Sequence, residues 1–379
     1  MRMLVALLAL AATTVALAQD AWPRLPQRQL IYYGWGAPNS TWLPEHVVEI
    51  EQMPFDALGV SIAIDRQAWL DGSEVSTNNK LGWHLFGPEA FDAARFEPAI
   101  ADLQALAQSR VKPLLAACIV SQGQDAGFDW FDEARWQTVL ANWRTFCTIA
   151  RRGDCPGVIW DPEHYGVYFF NYPEMNQRHA ASFEEYEALL RRRGREYMQA
   201  AGEVFPELEL LMFWGNTYLA LHPTQKEIPP PRNAYGLLPA FLDGMLEGAD
   251  PAMRFVDLCE FAYGLSERRQ FLSAYHGIVN RGMAISTVPD LYRARVRVGF
   301  GLWIDNGGRE RWSTEDFSTN HFTPERWEQA LTQALDVTDG YVWVYSHSPG
   351  FYPPRNLPDV YLQVFWNARA AAGMSGPPQ

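Results

Sequence analysis

Residues 157–166 read Gly-Val-Ile-Trp-Asp-Pro-Glu-His-Tyr-Gly and place two carboxylates, Asp161 and Glu163, at the end of a short apolar run. In an extended chain, side chains two positions apart point the same way, so the pair shares one face. Two neighbouring carboxyls resist ionising together, which raises one pKa and prepares a proton donor beside a charged partner. Acid-catalysed cleavage of an acetal needs that division of roles. The competing reading is that Asp161-Pro162 only opens a turn with both acids solvated. Hydrolysis needs a further carboxylate, and Glu260 and Asp305 are the candidates. Glu260 falls within the apolar run 255–262, where a charge must be paired, protonated or placed at a strand end. Its alternative role is to partner a core Arg or Lys. Asp305 precedes Asn306-Gly307, a turn signal, and ranks below Glu260.

Aromatic residues gather near the same kind of position. The chain has 15 Trp and 16 Tyr, and rings with polar tips suit both the faces of sugars and half-buried surfaces. Tyr33, Trp35, Trp160, Tyr165, Trp214, Tyr263, Trp303, Trp343 and Tyr345, with Asn216, are the candidate substrate-binding residues. Each alone is as compatible with a core role. As a group at strand ends they can wall a saccharide subsite.

These residues need a scaffold that brings the ends of distant runs together. Eight short apolar runs, at 30–35, 57–64, 111–120, 157–160, 208–214, 255–262, 298–304 and 340–345, alternate with stretches of helical period. The helical stretches fall at 41–53, 99–109, 133–152, 183–204, 237–247, 266–282, 324–335 and 358–371. Strands apolar on both faces and β-then-α alternation predict a parallel sheet, and eight units predict a single-domain (β/α)8 TIM barrel with enlarged loops. An open doubly wound sheet is the alternative, but Gly34-Trp35-Gly36 lacks the third glycine of a nucleotide-binding loop. Barrel active sites lie at the C-terminal strand ends, where the acids and rings above fall. Long loops at 65–96 and 166–181 are expected to set selectivity.

With the barrel in place, a resemblance emerges. The fourth-strand segment is similar to that of TIM-barrel glycoside hydrolases, and Asp161-x-Glu163 resembles the end of the chitinase-like D-x-D-x-E motif. Phe261-Ala262-Tyr263-Gly264 resembles the M-x-Y-D pattern of the sixth strand, and Trp343 resembles the eighth-strand tryptophan beneath the sugar. The resemblance implies that Glu163 is the proton donor and Asp161 its helper. Ile159 and Gly264 stand where the motifs carry further aspartates, so it does not extend to those positions.

The remaining features bound the setting. Arg2, the apolar run 4–10 and Ala16-Leu17-Ala18 read as a signal peptide over residues 1–18, shorter than the roughly 20 apolar residues that span a bilayer. A secreted or periplasmic protein is expected, with the barrel over 19–372 and a disordered tail over 373–379. A formal charge of −13 without a basic cluster argues against nucleic acid and anionic membrane surfaces, and leaves a glycan substrate as the expected partner. No cofactor motif is present. Among the four cysteines, Cys147 and Cys155 form the best candidate disulfide, while Cys118 and Cys259 read as buried thiols in strand-like runs. Two other functions remain open. One is a non-catalytic sugar-binding barrel, and the other is a metal-dependent hydrolase using Asp161, Glu163 and His164. A serine hydrolase is disfavoured because Ser346 beside His347 lacks a G-x-S-x-G elbow.

Overall fold

The computed structural model describes residues 27–71, 79–118, 127–308 and 311–378. The signal-peptide reading therefore lies outside the described residues. Nine strands form one parallel sheet: β1 (Gln29–Tyr32), β2 (Ala57–Val60), β3 (Lys112–Cys118), β4 (Gly157–Asp161), β5 (Glu209–Met212), β6 (Arg254–Asp257), β7 (Val296–Val298), β8 (Phe300–Trp303) and β9 (Tyr341–Tyr345). Strands β1 to β7 follow one another around the wall, and β8 pairs with β9. Strand β1 pairs with β9 in parallel, Gln29 opposite Tyr341 and Tyr32 opposite Val344.

The seventh run is thus two strands rather than one. Gly299 separates them, with β7 bonded to β6 and β8 bonded to β9, and the continuous chain bridges the two halves. The Gly299 amide donates to Asp257 O while Asp339 N donates to Val298 O, so the backbone groups at the break keep partners. The result is the predicted (β/α)8 barrel with one divided stave.

Eight main helices surround the sheet: α1 (Leu43–Gln52), α2 (Glu97–Ala107), α3 (Glu133–Arg152), α4 (Phe183–Gly202), α5 (Leu238–Gly248), α6 (Arg268–His276), α7 (Pro324–Val337) and α8 (Asp359–Ala371). Local chemistry sets several of their starts. Asp132 caps α3 through Arg135 N, Ser182 and Glu185 form a reciprocal capping box on α4, and Thr323 precedes Pro324 at the first position of α7. The stretch expected as one helix at 266–282 passes from α6 into a π-helical turn, Gly277–Gly282.

Several strands stop earlier than the apolar pattern implied. The sixth ends at Asp257, and Glu260 lies in a one-turn 3-10 helix, Glu260–Ala262, that begins after Cys259 in a left-handed conformation (φ 43°). Apolarity continued past the strand because that turn also packs against the core.

The expected Cys147–Cys155 disulfide is not formed, and all four cysteines are buried. Cys147 lies within the buried face of α3 among Trp143, Phe146 and Ile149, while Cys155 sits in the turn before β4 with its amide on Ala150 O. Each is a small apolar filler in its own place. At the C-terminus, Met374 packs on the core and Ser375 O accepts from Arg369 Nε at 3.1 Å. Arg369 in turn grips Asp56 with two bonds, 2.7 and 2.8 Å long, tying α8 to the start of β2.

Candidate active site

The pleat of β4 alternates sides, so Trp160 and Asp161 face opposite ways. Asp161 lines a cavity of about 250 Å3 at the C-terminal mouth of the barrel. Trp160 is fully buried on the other side, parallel to Phe241 of α5 at 6.5 Å, and belongs to the packing between sheet and helices. Beyond the strand the chain turns at Pro162. The Glu163 amide donates to Asp161 Oδ1 at 2.8 Å, a local bond that brings Glu163 back over the same cavity. Tyr165 OH donates to Glu163 Oε2.

Glu260 enters the same cavity from the turn after β6. It shares a hydrogen bond with Tyr263, and its Oε2 is buried without any hydrogen-bond partner. Burial pushes the carboxyls of Asp161 and Glu260 well above the usual range; the Glu163 charge adds to both, and Asp161 adds further to Glu260. Burial also raises Glu163, opposed by the Tyr165 hydroxyl. None of the ion pairs among the described residues involves these three acids.

Aromatic rings make the rest of the wall. Phe213 and Trp343 stack at 4.2 Å with an interplanar angle of 4°, and Trp343 Nε1 donates to Tyr33 O at 2.8 Å. Two glycines make room for these rings. A Cβ on Gly59 of β2 would lie 2.4 Å from the Tyr33 ring, and one on Gly301 of β8 would lie 2.8 Å from Trp343. Tyr263 packs between Trp343, Tyr345 and Trp303 at 5.4 to 5.8 Å. At the rim, Trp35 is 45% exposed and touches Trp83 and Tyr165, each with centroids 5.6 Å away.

Tyr33, Trp35, Asp161, Glu163, Tyr165, Glu260, Tyr263, Trp303, Trp343 and Tyr345 thus meet as expected from sequence. Trp160, Trp214, Asn216 and Asp305 do not line this cavity. Trp214 is buried among Tyr218, Tyr235 and Phe261, and Asn216 Nδ2 donates to Gly282 O at the π-helical turn. Asp305 accepts from Trp303 Nε1, His347 N and Ser348 N at 2.7 to 3.2 Å. Its oxygens are occupied in holding the last loop, which leaves Glu260 as the cavity acid facing Glu163.

His164, considered as a metal ligand, stacks on Tyr235 at 4.0 Å and 4°, while its Nε2 accepts from Phe170 N at 3.3 Å. That acceptor role puts the proton of the neutral ring on Nδ1, and burial lowers its pKa to about 3. Among the described residues no three His, Cys, Asp or Glu side chains are grouped to hold a metal ion.

Four cavity residues escaped the sequence reading: Lys80, Trp83, Phe213 and His347. Lys80 and Trp83 come from the loop after β2, which carries no periodic signal. Phe213 follows β5 with no polar tip to mark it, and His347 reads as a shaper of the last loop. Burial lowers the Lys80 pKa.

No family model and no curated protein matches this chain. Solved structures do. An exo-β-1,4-mannosidase from Opitutaceae bacterium strain TAV5 superposes over 93% of the chain with a TM-score of 0.50 and 13% identity. The chain spans 62% of that mannosidase. A thermostable chitinase domain from Pyrococcus furiosus matches over 93% of this chain and 99% of its own, with a TM-score of 0.49 and 10% identity. A D-psicose 3-epimerase matches over 92% and 100%, with a TM-score of 0.45 and 9% identity. At such identities the likeness is one of fold alone, that of a TIM barrel.

Proposed function

We propose that the protein is a glycoside hydrolase that cleaves a poly- or oligosaccharide with carboxyl groups. The observation that supports this reading most is the meeting of Glu163 and Glu260 across one aromatic-walled cavity at the barrel mouth. Glu163 is the general acid: burial keeps it protonated beyond the normal carboxylate range, and it gives its proton to the glycosidic oxygen as the bond to the anomeric carbon breaks. Glu260 is the second acid: burial holds its carboxyl well above the usual range, and the positive charge that develops at that carbon favours its anionic form. Water supplies the new hydroxyl, and its released proton returns to the acid cluster. Asp161 fixes Glu163 through the backbone bond and adds negative charge beside it. Trp343 and Phe213 offer a flat apolar base to the sugar ring, with Tyr263 at its edge.

Export is proposed on the signal-like residues 1–18, and N-terminal sequencing of the purified protein tests it. Activity is tested by reducing-sugar release from a broad glycan panel, beside Glu163→Gln and a chelator control. Turnover that falls by about 100-fold or more in Glu163→Gln and ignores chelator supports the reading. Unchanged turnover in that variant ends the assignment of Glu163. Chelator-sensitive activity moves the chemistry to a metal, and sugar binding without turnover identifies a lectin-like barrel.

A further inference from the structure

The cavity holds one more carboxyl than glycosidic cleavage uses. One acid must carry a proton and one must be an anion, which accounts for two of the three. Burial holds Asp161 and Glu260 against ionising, so the anion that cleavage needs forms in a space walled by Tyr33, Trp343, Tyr345 and Tyr263 when a positive group stands beside it. Asp161 has local donors in the Glu163 amide and the Cys118 thiol. Among the described residues Glu260 has only Tyr263, and its Oε2 is buried and unpartnered. A desolvated carboxylate oxygen of this kind is costly unless a bound group completes it.

Lys80 lines the same cavity, but burial lowers its pKa, and among the described residues no ion pair joins it to the three acids. The charge is therefore left for a ligand to neutralise. Aromatic faces around an anionic centre favour a cation, through both Coulomb attraction and the ring quadrupoles. On a sugar, an amine at C2 lies one carbon from the anomeric centre, within reach of the carboxylate stationed there.

We infer that the sugar in the cleavage subsite carries a protonated 2-amino group, held against Glu260 Oε2. The substrate class is then a 2-amino-2-deoxy glycoside rather than a neutral or N-acetylated one. This inference rests on the glycosidase reading of the same cavity. An acetamido group would present a neutral amide to Glu260 and leave the charge unbalanced. A hydroxyl would donate one hydrogen bond without charge.

The test uses the full mature chain carrying Glu163→Gln, so that ligands bind without turnover. Methyl 2-amino-2-deoxy glycosides are titrated against their 2-hydroxy and 2-acetamido counterparts in the gluco, galacto and manno series, by calorimetry. In the series that binds, the amine is expected to bind at least about tenfold more tightly than either counterpart, a factor typical of one buried charge-assisted contact. Adding Glu260→Gln is expected to erase most of that advantage. Equal or weaker binding of the amine overturns the inference. An advantage that survives Glu260→Gln overturns the placement of the ammonium. Turnover of neutral glycans by the unsubstituted protein, with no preference for amines, refutes this inference and leaves the glycosidase reading standing. Absence of both binding and turnover across all series refutes the two together.

Discussion

Replacing Glu260 with Gln is expected to make the protein more stable and less active, with the gain in stability confined to higher pH. The Glu260 carboxyl is buried beside Asp161 and Glu163, and one oxygen lacks a partner. Ionising a carboxyl with such an unpartnered oxygen costs about 1–3 kcal/mol, and Gln replaces the ionisable oxygen with an uncharged amide that donates to the neighbouring carboxylates. With an unfolding entropy of roughly 2.1 cal/mol/K per residue over about 350 residues, this range corresponds to a rise in Tm of about 1–4 °C.

The sign of the pH dependence follows from the direction of the shift. The folded pKa lies above the unfolded value, so the carboxyl costs nothing while protonated below about pH 4.5, and stability is lost as pH rises through the folded pKa. Gln does not titrate. The difference in Tm between variant and parent, followed by thermal melts from pH 4 to 8, should be near zero at the acid end and widen upward. Hydrolysis measured in parallel should fall by about 100-fold or more. A variant that melts lower than its parent at neutral pH, or by an equal increment at every pH, would refute the argument that the like-charged cluster is strained by its own ionisation.

Asp257, fully buried at the end of β6, accepts from Gly215 N, Cys259 N and Thr217 Oγ1, yet burial still raises its pKa to about 6. A rise of about two units represents about 3 kcal/mol of stability present below pH 4 and lost by pH 7. Denaturant titrations of the parent and Asp257→Asn should therefore show their difference changing by about that amount over this range, and a constant difference would refute the burial argument. Asp305→Ala should remove the anchor of residues 347 and 348 and destabilise by about 3 kcal/mol, the scale of hydrogen bonds to a charged group. Because His347 and Trp303 border the cavity, its KM should rise while kcat changes less than about tenfold. A collapse of kcat at constant KM would make Asp305 a catalytic group.

The barrel was legible because strands buried on both faces leave continuous apolar runs, and because each run was followed by a helical period. The Asp161 and Glu163 pair was reached through the pleat, which relates residues two apart, but Glu163 lies past the strand and returns over the cavity by the turn at Pro162. The same rule separated Trp160 from Asp161, and the aromatic grouping by strand end had overlooked it. Glu260 was found for the wrong local reason: it stands in a turn after the strand, where packing against the core imitates a strand pattern. Asp305 shows the limit of residue type. An aspartate holding loop amides and an aspartate facing a substrate read alike until the amides are placed. Lys80 and Trp83 depend on how a long loop folds across the mouth, which no local pattern encodes. The disulfide expectation failed because nearness in sequence said nothing of direction: Cys147 faces the sheet from a helix that Cys155 merely follows.

The pairing of β1 with β9 also fixes when the protein becomes competent. Tyr33 and Trp343, joined by an indole-to-carbonyl bond, are separated by 310 positions. During synthesis the first strand waits with one edge open until the last is made, and no earlier fragment possesses the base on which a sugar would rest. The wall that Trp343 completes is therefore acquired only once β9 has been made.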